Sequence, residues 1–234
     1  MSMRWVYAIA LLLSSACQAQ RLAADTPYIN AATELRFPAA VQQLHRIGVQ
    51  QYPDPRLGVA ISYRSGQEHA DIFVYDKGLS LIPNGARSPE VWSEFIQSRS
   101  NLVRMYNQKP YTNGREIMYT APAEDTAQLS VLPKASDSAS STSSIGRSEG
   151  KVATFHVAMI TATKALSTGQ EEALSTWVLI TGFRHQFAKL IYTYEGVDNE
   201  QHEVAQVHLR DFVLSLIAAN EGVGNSFLEE VNTP

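Results

Sequence analysis

Residues 151–219 constrain the fold more than any other stretch. Lys151–Thr163 and Leu174–Phe183 alternate as strands do, a third segment runs Phe187–Tyr194, and a helical apolar period follows over 199–219. Asp198 stands three residues before Gln201 in a capping-box arrangement, and Ala205, Leu209, Phe212, Leu216 and Ala219 form one stripe. Asn220 and Gly222 supply the stop. A hairpin followed by a helix that lies across its apolar face buries both, so this stretch predicts an antiparallel sheet with a covering helix.

The upstream segments read as additions to that unit. Leu44–Tyr52 alternates loosely, and Tyr52-Pro53-Asp54-Pro55-Arg56-Leu57-Gly58 is a turn, because two prolines fix φ and remove two ladder donors. Val59–Tyr63 and Ala70–Asp76 are the next strands, joined at Ser65-Gly66; the second is apolar on both faces and should be covered on both. Ser88-Pro89-Glu90 starts a helix with an N-cap hydroxyl, a proline at the first helical position and an acid facing the positive dipole end. Val91, Phe95, Leu102 and Tyr106 share its stripe, with Trp92, Ile96 and Val103 beside it, and Lys109-Pro110 ends it. A short strand, Glu116–Thr120, follows an Asn113-Gly114 turn.

These elements predict an α/β fold of the α+β type: a mainly antiparallel sheet with covering helices at 88–107 and 199–219. Residues 37–220 form a single domain, preceded by a flexible leader at 20–36 and followed by a tail at 221–234. Residues 122–150 read as a disordered insertion, since seven of the nine residues Ser136–Ser144 are Ser or Thr.

The first 19 residues read as an export signal. Arg4 precedes an unbroken apolar run of nine, Trp5–Leu13, and small residues follow. That run is far shorter than the roughly 20 residues a membrane-spanning helix needs. The expected location is therefore the periplasm. Cys17, the single cysteine, leaves two readings open. Cleavage before it would make it a lipidation site and anchor the protein to the membrane. Cleavage after Ala19 would remove it, and the small-residue exit together with Ser14 three positions before the cysteine favours this second reading. On either reading the domain lacks an internal disulfide, a thiolate metal site and a thiol nucleophile. Without residues 1–19 the 19 basic residues fall by one, Arg4, against 23 acidic, so the net charge goes from −4 to −5. An acidic chain without basic runs is a poor candidate for nucleic acid.

The order of meander, capped helix, further strands, hairpin and closing helix over residues 37–219 resembles the fold group of the photosystem oxygen-evolving protein PsbP, the Ran-binding protein Mog1 and the bacterial envelope protein DcrB. Tyr52-Pro53-Asp54-Pro55-Arg56-Leu57-Gly58-Val59 and Asp71-Ile72-Phe73-Val74-Tyr75-Asp76 are also similar to uncharacterised exported bacterial proteins. The resemblance implies an assembly or partner-binding protein without catalytic residues, whose partner is another envelope protein. One fold hosts many activities, so it carries over no functional residue.

Motifs with chemical content are few. Gly146-Arg147-Ser148-Glu149-Gly150 spells G-x-S-x-G, and Ser148 with Lys151 spells S-x-x-K. A nucleophile elbow needs a strand before the serine and a helix after it, whereas here a Ser-rich run precedes and a strand follows. The serine hydrolase is thus the weakest of three functional readings. His202 and His208 are six apart on a helix, wrong for a metal pair, and His208 is one turn from Asp211, which suggests a solvated ion pair. His156 sits mid-strand, either as a hydrogen-bonded sheet histidine or lining a cleft. No metal or cofactor is expected. Tyr52, Tyr63, Tyr75, Tyr192 and Tyr194 are the candidate binding face, for a partner or for a small apolar ligand held between sheet and helix; sheet propensity explains them about as well.

Overall fold

The computed structural model of the chain describes residues 26–119, 127–128, 151–196, 199–220 and 228–230. The strands in chain order are β1 (Tyr28–Ile29), β2 (Arg36–Phe37), β3 (Ala40–Val41), β4 (Leu44–Gln51), β5 (Val59–Ser65), β6 (Glu68–Tyr75), β7 (Tyr111–Tyr119), β8 (Ala127–Gln128), β9 (Lys151–Ala165), β10 (Glu171–Phe183), β11 (Gln186–Glu195) and β12 (Leu228–Glu230). Two helices, α1 (Pro89–Met105) and α2 (Asn199–Ala219), complete the fold. It is mixed α+β: one large antiparallel sheet with a helix on each face.

Ten strands make this sheet, in the order β9-β10-β11-β6-β5-β4-β3, with β12, β8 and β7 paired in series along the far edge of β9. Strand β10 pairs with β9 from Glu171 to Ile180 and with β11 from Leu174 to Phe183. Its alternation divides the core into two. Trp177 and Leu179 join Ile61, Tyr63, Ile72 and Tyr192 under Leu209 and Phe212 of α2, where Phe212 meets the Tyr63 ring edge-on at 5.4 Å. Val178 and Ile180 join Ala158, Ile160 and Phe187 under Val91, Phe95 and Leu102 of α1.

Both helices form for the reasons their sequences give. Ser88 caps α1 by accepting from the Val91 amide at 3.2 Å, and Pro89 stands where the amide has no intrahelical partner. The α2 stripe holds through Ala205, Leu209 and Phe212, then passes to Val213, while Leu216 is only half-buried. Asn220 ends α2 and ties it to β2: its Oδ1 accepts from the Arg36 amide at 2.7 Å and its Nδ2 donates to the Arg36 carbonyl at 2.9 Å.

Two expectations about the chain ends change. Residues 26–36, read as leader, fold back as the β1–β2 pair. Asn30 makes the turn, its Oδ1 accepting from the Thr33 amide and hydroxyl, and Leu35 and Phe37 are buried in the α2 core. Within the tail, Leu228–Glu230 pairs with Lys151–Ala153. Residues 1–25 and 129–150, which hold the signal segment and most of the Ser-rich insertion, lie outside the described residues.

Gly182 and Gly58 mark the two tightest backbone approaches, and Gly182 is the one that positions α1. It forms a bridge with Gly85 in the loop before α1, and a Cβ there would stand 1.9 Å from the Pro83 carbonyl oxygen. Gly182→Ala is expected to cost about 3 kcal/mol through forced backbone displacement. Gly66→Ala, at φ +53° but with nothing within 4 Å, is expected to cost about 1 kcal/mol. Urea unfolding checks the difference as a larger drop in midpoint at unchanged slope.

Candidate functional site

The sheet register places one buried glutamate on each face. Glu68 lies in line with Ala70, Ile72 and Val74, so alternation turns it towards α2. It accepts from the Tyr192 hydroxyl at 2.5 Å and from Gln43 at 2.7 Å, and its other oxygen is 2.6 Å from His208 Nδ1. Glu94 lies on the buried stripe of α1 between Val91 and Ser98. It accepts from the Tyr75 hydroxyl at 2.5 Å, from Ser98 at 3.1 Å and from the Lys77 ammonium. Burial first, and the adjoining carboxylate second, push both phenols far above the usual tyrosine range, so each tyrosine is a fixed donor.

Glu68 and His208 have the spacing of an acid–base pair. Among the described residues no hydroxyl is hydrogen-bonded to His208. The pair ties α2 to β6 and β11. The solvated His208–Asp211 pair expected from helical spacing is replaced: His208 bonds to Glu68 across the sheet, and Asp211 takes Arg210 at 3.2 Å. A partner from another strand overrode the local one.

The α1 face has a second feature: among the described residues no helix covers its other half. Helix α1 packs on β7, β9 and β10, and its apolar cluster reaches Phe73 and Ile191 only at its border. Beyond that border the register lines up Lys189, Phe73 and Ala60, then Ile191, Asp71 and Ser62, then Thr193, His69 and Arg64; Ala60 and Thr193 are buried, Arg64 is exposed and the others lie between. The register shift on β4 falls between Arg46 and Gly48, and Ile47 within it is unpaired and 64% exposed. The face holds two fixed cations, Arg64 and Lys189, against one carboxylate, Asp71, which takes the Ser62 hydroxyl at 2.5 Å. At its end Lys164 lies 2.9 Å from Glu195, with Glu172 opposite it on β10 as a second acid.

A third feature is a small apolar cavity of about 50 Å³ between the sheet and the C-terminal half of α2, lined by Leu35, Phe37, Phe155, Leu179, Val213 and Leu216 among others.

The five tyrosines do not make one face. Tyr63 and Tyr192 are fully buried beneath α2 with Tyr194 beside them, Tyr75 is buried on the opposite side of the sheet, and Tyr52 is half-buried next to the Pro-rich turn. Their strands differ in register, and burial uses the rings as core. Asp54 caps the turn at Pro55–Leu57, and Asp76 accepts from the Gly78 amide. Cys17 and Ser148 lie outside the described residues, and Lys151 opens β9. Among the described residues no three of His, Cys, Asp and Glu gather as a metal set. Glu68, Glu94 and Lys189 escaped the sequence reading, although Glu94 shows there as a charge on an apolar stripe.

Compared with protein-family models, curated proteins and solved structures, the chain matches none.

His156 is a core histidine and not a cleft residue. It is 1% exposed, stacked on Phe95 at 5.2 Å and edge-on to Trp92 at 5.0 Å, and neither ring nitrogen makes a hydrogen bond of ordinary geometry. Burial pushes it below the ordinary value of 6.5, although the Ala86 backbone lies near enough to oppose this. The unfolded chain therefore takes up a proton near pH 6.5 that the folded one resists. Stability is complete above that pH and falls as the medium is acidified, by at most about 1.4 kcal/mol per pH unit from this group. His156→Phe, which keeps the ring stack, is expected to flatten the fall measured by urea unfolding between pH 7.5 and 5. His69, also depressed by burial, keeps its share in the variant.

Proposed function

We propose that the chain is an exported, non-catalytic partner-binding or assembly protein of a bacterial cell envelope, with a fold of the PsbP, Mog1 and DcrB kind. Its partner is another envelope protein, docked on the half of the sheet beside α1. That half-face carries this reading. An antiparallel sheet can leave one face to water, but that face is then polar. Here Phe73 and Ile191 stand half-buried on that face beside Lys189, with exposed Arg64 in the next strand and exposed Ile47 at the β4 bulge, which suits an acidic partner with an apolar contact.

Other observations support the non-catalytic part. His208 has no hydroxyl partner among the described residues, and the segment after Ser148 enters a strand where an elbow would enter a helix. The export reading rests on Arg4, Trp5–Leu13 and the small residues that follow. Membrane attachment in this reading requires lipidation of Cys17; no helix among the described residues is long and apolar enough to cross a membrane. Nucleic acid is a poor match for a net charge of −4 without a basic stripe.

The cavity under α2 favours a second reading, a carrier of a small apolar ligand. Its volume of about 50 Å³ weighs against this, since ligand pockets start near 300 Å³. Lipid retained in the native mass spectrum of the purified protein would raise the carrier above the docking protein.

Cross-linked pull-down from intact cells tests the docking face. Wild type and Val204→Asp, an exposed change on α2, are expected to recover one partner near stoichiometry. Arg64→Glu and Ile47→Asp are expected to cut that recovery about tenfold, a loss of roughly 1.4 kcal/mol. Equal recovery by all four proteins would remove the face from consideration.

A further inference from the structure

Lys189 is an ammonium group whose one ion pair among the described residues, with Glu94, is long. Its side chain is 18% exposed, and Nζ lies 5.0 Å from the ring centroids of both Phe73 and Tyr75. The nearest carboxylate oxygen, Glu94 Oε1, is 4.0 Å away and already accepts from Tyr75 and Ser98, while Oε2 takes Lys77. Among the described residues Nζ thus donates no hydrogen bond, although an ammonium has three to give. The rings attract its charge but offer no lone pair. Lys77 and Lys189 against Glu94 leave one uncompensated positive charge. Burial, with Lys77 adding to it and Glu94 opposing, holds the Lys189 ammonium below the usual lysine range.

We propose that Lys189 is the receptor for a carboxylate, which completes its hydrogen bonding while the apolar part of the ligand lies on Phe73. The charge balance selects the class. One net positive charge matches a monoanion, and Glu94 at 4.0 Å repels a dianion such as phosphate. The site offers no guanidinium fork for bidentate phosphate binding. This inference rests on the half-face being a docking surface, and it assigns the carboxylate to an acidic side chain of the docked protein.

Phenylacetate and phenylacetamide probe the site directly, because they differ only in the charge of the head group. With the full protein in NMR titration, phenylacetate is expected to shift the Lys189 side-chain resonances saturably, with a Kd of about 1–10 mM. Phenylacetamide is expected not to. Lys189→Met is expected to abolish the phenylacetate response at Phe73 as well. Glu94→Gln, which keeps an acceptor for Tyr75 but removes the repelling charge, is expected to tighten phenylacetate about tenfold. Equal responses to the acid and the amide, or no tightening in Glu94→Gln, would overturn the proposal. The pull-down separates it from the broader reading. Full partner recovery by Lys189→Met without phenylacetate binding sinks the carboxylate site and leaves the docking face. Phenylacetate binding with unchanged recovery by Arg64→Glu and Ile47→Asp sinks the face and leaves the site.

Discussion

Strand β10 is hydrogen-bonded along both edges and buried on both faces, so every other element is placed by what it must do for that strand. Leu174–Phe183 is buried at every position, including Ser175, Thr176 and Thr181. A buried polar group costs about 1–3 kcal/mol unless bonded. Thr176 meets this by joining Thr193 at 3.0 Å and the Tyr106 hydroxyl at 2.7 Å, which also fixes the end of α1. The Gly182–Gly85 bridge fixes the start of the same helix. The helix is thus aligned at both ends by polar contacts to one strand, with Val91, Phe95 and Leu102 filling the space between.

The two faces solve the same problem unequally. Under α2 the apolar layer spans from β4 to β9, and the helix adds Leu209, Phe212 and Val213, at about 1.5–3 kcal/mol each. Under α1 the layer stops near β11. Each face carries one buried glutamate held by a tyrosine hydroxyl, and in each the charge links the sheet to its helix. Bonds to a charged group contribute about 1.5–3 kcal/mol, but taking a carboxylate out of water costs several. The balance is close to zero, so the gain is in register: a one-residue slip of β6 would leave Glu68 without Tyr192 and His208.

Much of the fold was legible in the chain because it is periodic. The strands near 44–51, 59–65, 68–75, 151–165, 171–183 and 186–195 follow alternation, and both helices follow caps and stripes. Residues 26–36 were not legible, because Asn30 and two apolar side chains hold them against distant elements, and no period betrays that. The site was less legible still. Five tyrosines on strands suggest a common face, yet register sends Tyr75 one way and Tyr63 and Tyr192 the other. His208 was matched to its helical neighbour Asp211, while its partner Glu68 is 140 residues away. Lys189 reads as an ordinary charge until Phe73 and Tyr75 are seen around it. Half-coverage of a sheet belongs to no residue at all and emerges only from which strands lie side by side.

The far edge of β9 is covered by three segments from distant parts of the chain, Leu228–Glu230 at its start, Ala127–Gln128 next and Tyr111–Tyr119 beyond. At the opposite border β3 covers the start of β4, and the bulge at Arg46–Gly48 breaks the line that follows. A sheet edge is a template on which another chain can crystallise strand by strand. This protein has spent its short strands on denying that template, one border patched piecemeal and the other bent out of true. Both borders of its sheet are therefore poorly suited to extension by the backbone of another chain.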